Sequence, residues 1–401
     1  MSKKMLALVL SGMFILGGLA GCGKKDEAGE AIDTTSITDM VAESYSVEIS
    51  PSSSLNGDAT EVLMMKDGMV MSDLTGEWID EELADKRYFG IMVNNISEAM
   101  PQSGVERADV IYEMLEEGGI TRLLAIYQGN YEDIERIGPV RSARHYFDRK
   151  ALEYDAFFVH WGHSIYAGHD FEVIEDLDDI DLNGKDGSQG FRVSRPGKAL
   201  EHTGYTSGQN IANAIENDGF DKNKSDSYKK MFNFNVKDKV PEGGQDAKKI
   251  TTAFHDGRKP WFEYDESTGL YKRFQYGAEQ IDELTGNQLA FKNVIIQFAP
   301  HQLISGDQVG CIDINLVGEG EGWYASDGKI IPIKWKKQVK YNMVDFTTTN
   351  GMLDGSMRSG NCSDYGVTTY YTEDGEKLKI NPGKTWITLF QDDNKDGIII
   401  E

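Results

Sequence analysis

The chain is 401 residues long and carries 66 Asp and Glu against 41 Lys and Arg, a formal net charge of −25. So acidic a body repels nucleic acid and anionic lipid headgroups, and any site for an anion has to be a local basic pocket. Hydrophobic residues make up 39% of the chain, enough to bury a core, and with only three cysteines the fold rests on that core rather than on a disulfide framework.

The first 21 residues read as a leader. Lys3 and Lys4 form a positive start, and residues 5–20 form an apolar run too short for a comfortable membrane span. Leu19-Ala20-Gly21-Cys22 then has the form of a bacterial lipobox, which makes Cys22 the lipidated N-terminus of the mature chain. Loss of Lys3 and Lys4 takes the charge from −25 to −27. The expected location is the extracytoplasmic face of the cell membrane, held by a lipid anchor. Residues 22–72, rich in Ser, Thr, Asp, Glu and Gly, read as a flexible tether with an r.m.s. reach of roughly 40 Å. Of the other cysteines, Cys311 and Cys362, nothing in the spacing brings the two together, and no pairing is assigned.

The folded part is expected to begin near Leu74. YFGIMVNN (88–95) reads as a strand; Ser103 and Glu106 have capping-box spacing and predict a short helix. VIYEML runs into EEGG, where Gly118 and Gly119 impose a turn, and TRLLAIYQ (121–128) is the next strand. A helix is predicted over 143 to about 154, with Ala143, Phe147, Ala151 and Tyr154 on one face. AFFVHWG (156–162) is a buried-type strand, and Ser207 caps a helix that Gly219 ends. Residues 221–248 read as a polar connection. From 249 to 391 short aromatic and β-branched runs alternate with turns, including the hairpin signals Ser326-Asp327-Gly328 and Thr372 to Gly375. Residues 392–401 read as an acidic tail. The predicted class is α+β: a mixed α/β part over 73–220 and a mainly antiparallel β part over 249–391, in one layered sheet-and-helix core or two.

IMVNN, PQSG (101–104), EEGGITR (116–122), IGPVRSAR (137–144) and VHWGHS (159–164), with NVIIQF, GEGEGWYASDG and GKTWI further on, together resemble the YerB-like lipoproteins, whose chains carry the two DUF3048 domains. The resemblance spans roughly 74–390. It implies an extracytoplasmic lipoprotein with a mixed α/β fold and implies no established enzymatic activity. The chain departs from the family pattern at SRPGKALEHTGYT, where Glu201-His202 replaces a Pro-His pair, which removes the basis for a role of His202.

Within IGPVRSARHYF (137–147) a helix start is crowded by Arg141, Arg144 and His145. Helix N-termini favour acids, so these arginines need a negative group close by. Free backbone N–H groups, Ser142 and planar guanidinium donors would suit a carboxylate or phosphate. Three readings stand: an internal acid, for which Glu116 and Glu117 are the candidates, a bound anion, or solvent exposure. Arg122, His160, His163 and Arg192 complete the candidate ligand-binding set. Glu117 is a weak candidate for catalysis, because adjacent carboxylates on a strand face apart and a second acid such as Asp170 or Glu172 would have to join it.

No metal is assigned to His160 and His163, which at a spacing of three on a strand face apart unless Gly162 turns the chain. GEGEG (318–322) reads as a tight β-turn, since Glu319 and Glu321 repel phosphate. Asp392, Asn394 and Asp396 match half a calcium loop that lacks its twelfth-position glutamate, so they are weak calcium candidates in a solvated tail. No cofactor is expected. The leading functional reading is an envelope lipoprotein binding a ligand, such as peptidoglycan, or an envelope protein at a local basic cleft. A wall hydrolase using a glutamate and a scaffold for wall-synthesis enzymes are the alternatives.

Overall fold

Three β-prone runs, Phe89–Asn94 (β1), Val110–Leu115 (β2) and Thr121–Tyr127 (β3), lie at the centre of an eleven-stranded sheet. The computed structural model describes residues 66–129, 131–338, 348–349, 352–353 and 366–401. The leader, Cys22, the tether up to residue 65 and Cys362 lie outside the described residues. Further along the chain the same sheet takes in Phe157–His160 (β4), Asp179–Asp181 (β5), Gln245–Asp246 (β6), Asn293–Ala299 (β7), Gly318–Ser326 (β8), Lys329–Lys337 (β9), Thr369–Thr372 (β10) and Thr385–Gln391 (β11). The order is β6-β9-β8-β7-β11-β2-β3-β1-β4-β5, with β10 also on β9. β11 pairs in parallel with both β7 and β2, so strands from the two halves of the chain share one sheet and one core.

Side chains alternate across this sheet. Leu123, Ala125 and Tyr127 of β3 enter one apolar cluster, and Leu124 and Ile126 enter the other. A sheet buried on both faces needs a layer on each, which explains why β1 to β3 are apolar at every other position and in between. One face is covered by helices His145–Leu152 (α1) and Ile165–Val173 (α2). The other is covered by helix Gly208–Asp218 (α3) and a six-stranded sheet of short strands from 249–291 and 398–400. The helix expected over 143 to about 154 is shorter, so that Phe147 and Ala151 of the predicted stripe lie on α1 while Ala143 and Tyr154 flank it, and all four pack in the helix-side cluster. Ser207 caps α3 by accepting the Asn210 N–H, and Gly219 ends it at φ 70°.

Three local expectations are corrected. The short helix expected near Ser103 forms as one 3-10 turn, Val105–Arg107, but Ser103 and Glu106 make no capping box: the turn follows Gly104 at φ 75°, the Ser103 hydroxyl donates to Glu283, and the Glu106 N–H is taken by Asp282. GEGEG is no turn but the first half of β8, paired with β9. Its glycines admit close neighbours, since a Cβ on Gly322 would lie 2.4 Å from the Ile296 carbonyl oxygen and one on Gly320 2.5 Å from the Trp335 indole nitrogen. The last residues are no solvated tail: Ile398–Ile400 pair with Lys249–Thr252 at the edge of the second sheet. The Ser326-Asp327-Gly328 hairpin forms as expected between β8 and β9, with Asp327 and Gly328 both at positive φ.

Candidate functional site

Residues 139–144 run between the end of β1 and the end of β4. The Asn94 N–H donates to Pro139, the Arg141 N–H to Met92, the Trp161 N–H to Arg141, and the Ala143 N–H to Gly162. This stitching fixes where each arginine of the stretch points. Beside it, Gly118 and Gly119, at φ 71° and 72°, turn the chain between β2 and β3 and present Glu116 and Glu117.

Three arginines each find an acid, in three different environments. Arg122, at the start of β3, donates through Nη2 to Glu116 Oε1 at 2.6 Å, and its Nη1 holds the Ser142 carbonyl; both side chains are buried. Burial pulls Arg122 down to about 10 against the opposing pull of Glu116, which leaves it charged at neutral pH. Arg144, the residue before α1, makes a two-pronged pair with Glu117. Burial alone would raise the Glu117 carboxyl, but the hydrogen bonds and charge of Arg144 outweigh it and hold the carboxyl below the usual range. A general acid must carry a proton near neutral pH, so Glu117 is ill suited to that task. Arg141 differs: it makes single contacts through Nη1, at 3.1 Å to the Glu201 carboxylate and 3.3 Å to the Glu201 carbonyl, and Glu201 is 57% exposed.

Arg141 lines a cleft of about 530 Å³ together with Ser142, Trp161, His163, Asp181, Asn183, Arg192 and Glu201. That volume suits a small ligand. Arg192 lies over the Trp161 ring at 4.6 Å and donates through Nη1 to the carbonyl of Leu200 and the hydroxyl of Thr203. Its Nη2 and that of Arg141 make no hydrogen bond among the described residues. Gly190 and Gly204 let the Trp161 ring pack closely, since a Cβ on either would come within 3 Å of it. The Ser142 hydroxyl donates to the Trp161 carbonyl, and Asp181 Oδ1 accepts the N–H groups of Gly162 and Asn183, while its Oδ2, beside Gly184, accepts no hydrogen bond among the described residues.

The sequence-predicted set therefore divides. Arg141, Ser142, His163 and Arg192 meet at the cleft, whereas Arg122, Arg144, His145 and His160 do not line it. His145 is buried under the Asp313 carboxylate at 2.8 Å, and burial lowers its pKa despite that partner. His160 is buried, 3.4 Å from Asp179 and stacked at 4.8 Å on Phe171. Gly162, at φ 75°, turns the chain after it, so His160 and His163 approach to 6.0 Å between ring centroids, as neighbours of Phe171 and not as a ligand pair. Among the described residues no three His, Cys, Asp or Glu side chains are grouped to hold a metal ion. Asn394, one of the three calcium candidates, gives its amide to the Ala253 and Phe254 carbonyls.

Asp181, Asn183 and Glu201 were not foreseen at the site. They stand 40 to 60 positions along the chain from Arg141, and the one of them that the family pattern touches, Glu201, is a departure from that pattern. The fully buried Arg273–Glu113 pair and the Lys150–Glu153–Lys337 cluster were missed for the same reason, their partners lying up to 184 residues apart.

The chain as a whole is similar to known proteins. Residues 74–221 match the N-terminal domain, and residues 250–361 the C-terminal domain, of the family described as "Protein of unknown function (DUF3048)". The chain is 31% identical over 333 residues to the Bacillus subtilis (strain 168) protein named "Putative lipoprotein YerB", across 80% of this chain and 86% of that one. The crystal structure of the YerB protein from Bacillus subtilis superposes with a TM-score of 0.67 at 29% identity, over 83% of this chain and 99% of that one.

Proposed function

Because the chain belongs to the DUF3048 family, we propose that it is a lipoprotein anchored through Cys22 on the extracytoplasmic face of the membrane, and that it binds a carboxylate- or phosphate-bearing envelope ligand or an envelope protein in the cleft of Arg141, Trp161 and Arg192. The leader and the lipobox-like Leu19-Ala20-Gly21-Cys22 support the anchor, as does the relative named as a lipoprotein. The observation that carries the binding reading is the pair of guanidinium groups, Arg141 and Arg192, with uncommitted nitrogens in one cleft of a strongly acidic chain. A body of that charge holds such a local positive spot only where neighbouring groups or a ligand balance it. Peptidoglycan is the envelope polymer whose stem peptides supply free carboxylates in that compartment.

Retention on purified cell wall tests this, comparing the wild type with Arg141→Ala plus Arg192→Ala. Loss of retention by the double variant supports the cleft, and equal retention by both proteins removes it as the site. A scaffold role draws its support from elsewhere, the Arg122 and Arg144 pairs, which serve the architecture.

A further inference from the structure

The cleft's charges point to the kind of ligand it takes; this inference rests on the binding reading above. Four ionisable side chains of fixed charge line it, Arg141 and Arg192 against Asp181 and Glu201, and they sum to zero. Glu201 sits on Arg141 through single contacts, has His202 Nε2 3.5 Å from its other carboxylate oxygen and is more than half exposed, unlike the two-pronged or buried pairs of Arg144 and Arg122. A one-point, exposed ion pair is weak and exchanges readily with solutes, so an incoming carboxylate can take its place on Arg141.

Displacement of Glu201 leaves its negative charge in the cleft. A ligand that brings only an anion then leaves one uncompensated negative charge, on a chain whose overall charge already repels anions. A ligand that also brings a cation restores the balance, with Asp181 Oδ2 and the freed Glu201 carboxylate as acceptors for an ammonium group. From this charge count we infer that the cleft selects a zwitterion, an α-amino-acid head group with carboxylate on Arg141 and ammonium between Glu201 and Asp181, and that Glu201 is the residue that sets this selectivity by standing in for the ligand's carboxylate in the empty cleft. The carboxylate gains a planar donor suited to two-point binding. A phosphate dianion, with two negative charges and no cation, fits the count worst.

The head group can belong to a free amino acid or to the side chain of a diamino acid within a wall peptide. Alanine, N-acetylalanine, alaninamide and inorganic phosphate serve as probes, each of the chiral ones in both enantiomers. Binding to the folded extracytoplasmic chain is followed by NMR through the Trp161 indole N–H, assigned with Trp161→Phe. The wild type should bind alanine more tightly than N-acetylalanine, alaninamide or phosphate. Glu201→Gln should tighten N-acetylalanine by roughly threefold to tenfold, the effect of one partly exposed charge, and should narrow its gap from alanine. Displacement of alanine by soluble wall-peptide fragments identifies the wall as the source, and no displacement identifies the free amino acid.

N-acetylalanine or phosphate binding the wild type as well as alanine does, with Glu201→Gln neutral, overturns the zwitterion inference and leaves an anion cleft standing. Failure of every probe to move the Trp161 signal overturns the zwitterion inference alone, and the cleft reading falls only if the double arginine variant is also retained on cell wall as the wild type is. The Arg141→Ala plus Arg192→Ala variant separates them further, because it should lose every probe whether or not Glu201 sets the choice.

Discussion

The guanidinium of Arg144 meets the carboxylate of Glu117 edge to edge, with Nε 2.7 Å from Oε1 and Nη2 2.8 Å from Oε2. Both side chains are only 15% exposed. This pair satisfies the arginine at the start of α1 from inside the fold, and it leaves Arg141, three residues earlier, as the arginine that faces the cleft.

Removing either half of that pair strands a charge in a nearly dry place. Arg144→Ala should cost about 2–4 kcal/mol and lower the melting temperature by roughly 4–10 °C. Arg141→Ala, which breaks an exposed single contact, should cost about 1 kcal/mol or less. Calorimetry on the two variants decides between these roles. Equal losses would mean that Arg141 is as architectural as Arg144.

Lys150 and Lys337 both contact Glu153, and all three side chains are buried. Burial would raise the Glu153 carboxyl, but the two lysines and the hydrogen bonds from Lys337 and the Thr368 N–H outweigh it and hold it at about 2. The folded pKa thus lies below the unfolded value of about 4.5. In that window the unfolded chain binds more protons, so the contribution of Glu153 is complete above pH 4.5 and is lost as pH falls toward 2. Glu153→Gln should destabilise at pH 7 by about 3 kcal/mol or more, since it strands two buried lysines. It should also flatten the loss of stability between pH 4.5 and 2. Denaturant midpoints measured across that range check both, and an unchanged acid slope in the variant would contradict the assignment.

Gly322 faces the Ile296 backbone with no room for a methyl group. Gly322→Ala should destabilise by about 1–3 kcal/mol, the usual cost of overpacking. Glu319→Ala and Glu321→Ala, whose partners Lys336 and Lys395 are exposed, should leave the midpoint close to that of the wild type. Urea midpoints distinguish this strand geometry from a surface turn, in which all three substitutions would be mild.

The Asn394 amide ties the end of the chain to Ala253 and Phe254. Asn394→Ala should cost about 1–2 kcal/mol, with or without calcium. A rise in melting temperature on adding calcium to the wild type, absent from the variant, would instead restore the half-loop as a metal site.

How much of this was legible in the sequence depended on distance along the chain. The strands at 89–94 and 121–127, the stripe on α1 and the Ser207 cap are local signals of period or of one capping oxygen, and each appeared where its residues said. GEGEG misled because glycine marks a close approach as well as a turn, and only the neighbouring strands reveal which. In the candidate site the arginines drew notice, and Glu117 was in view as a partner because it lies near in sequence. Glu201 and Asp181 reach Arg141 and Gly162 only through the folding of the chain around Trp161, and no spacing rule encodes that.

The proposed binding face of Arg141 and Arg192 is tested by the dissociation constant for purified cell wall of the wild type, of Arg141→Ala plus Arg192→Ala, and of Lys334→Ala plus Lys336→Ala, which removes the same charge from the exposed surface of β9. The cleft variant should lose roughly tenfold or more in affinity while its melting temperature stays within a few degrees of the wild type, and the surface variant should bind as the wild type does. Equal weakening of both variants, or of neither, would contradict it.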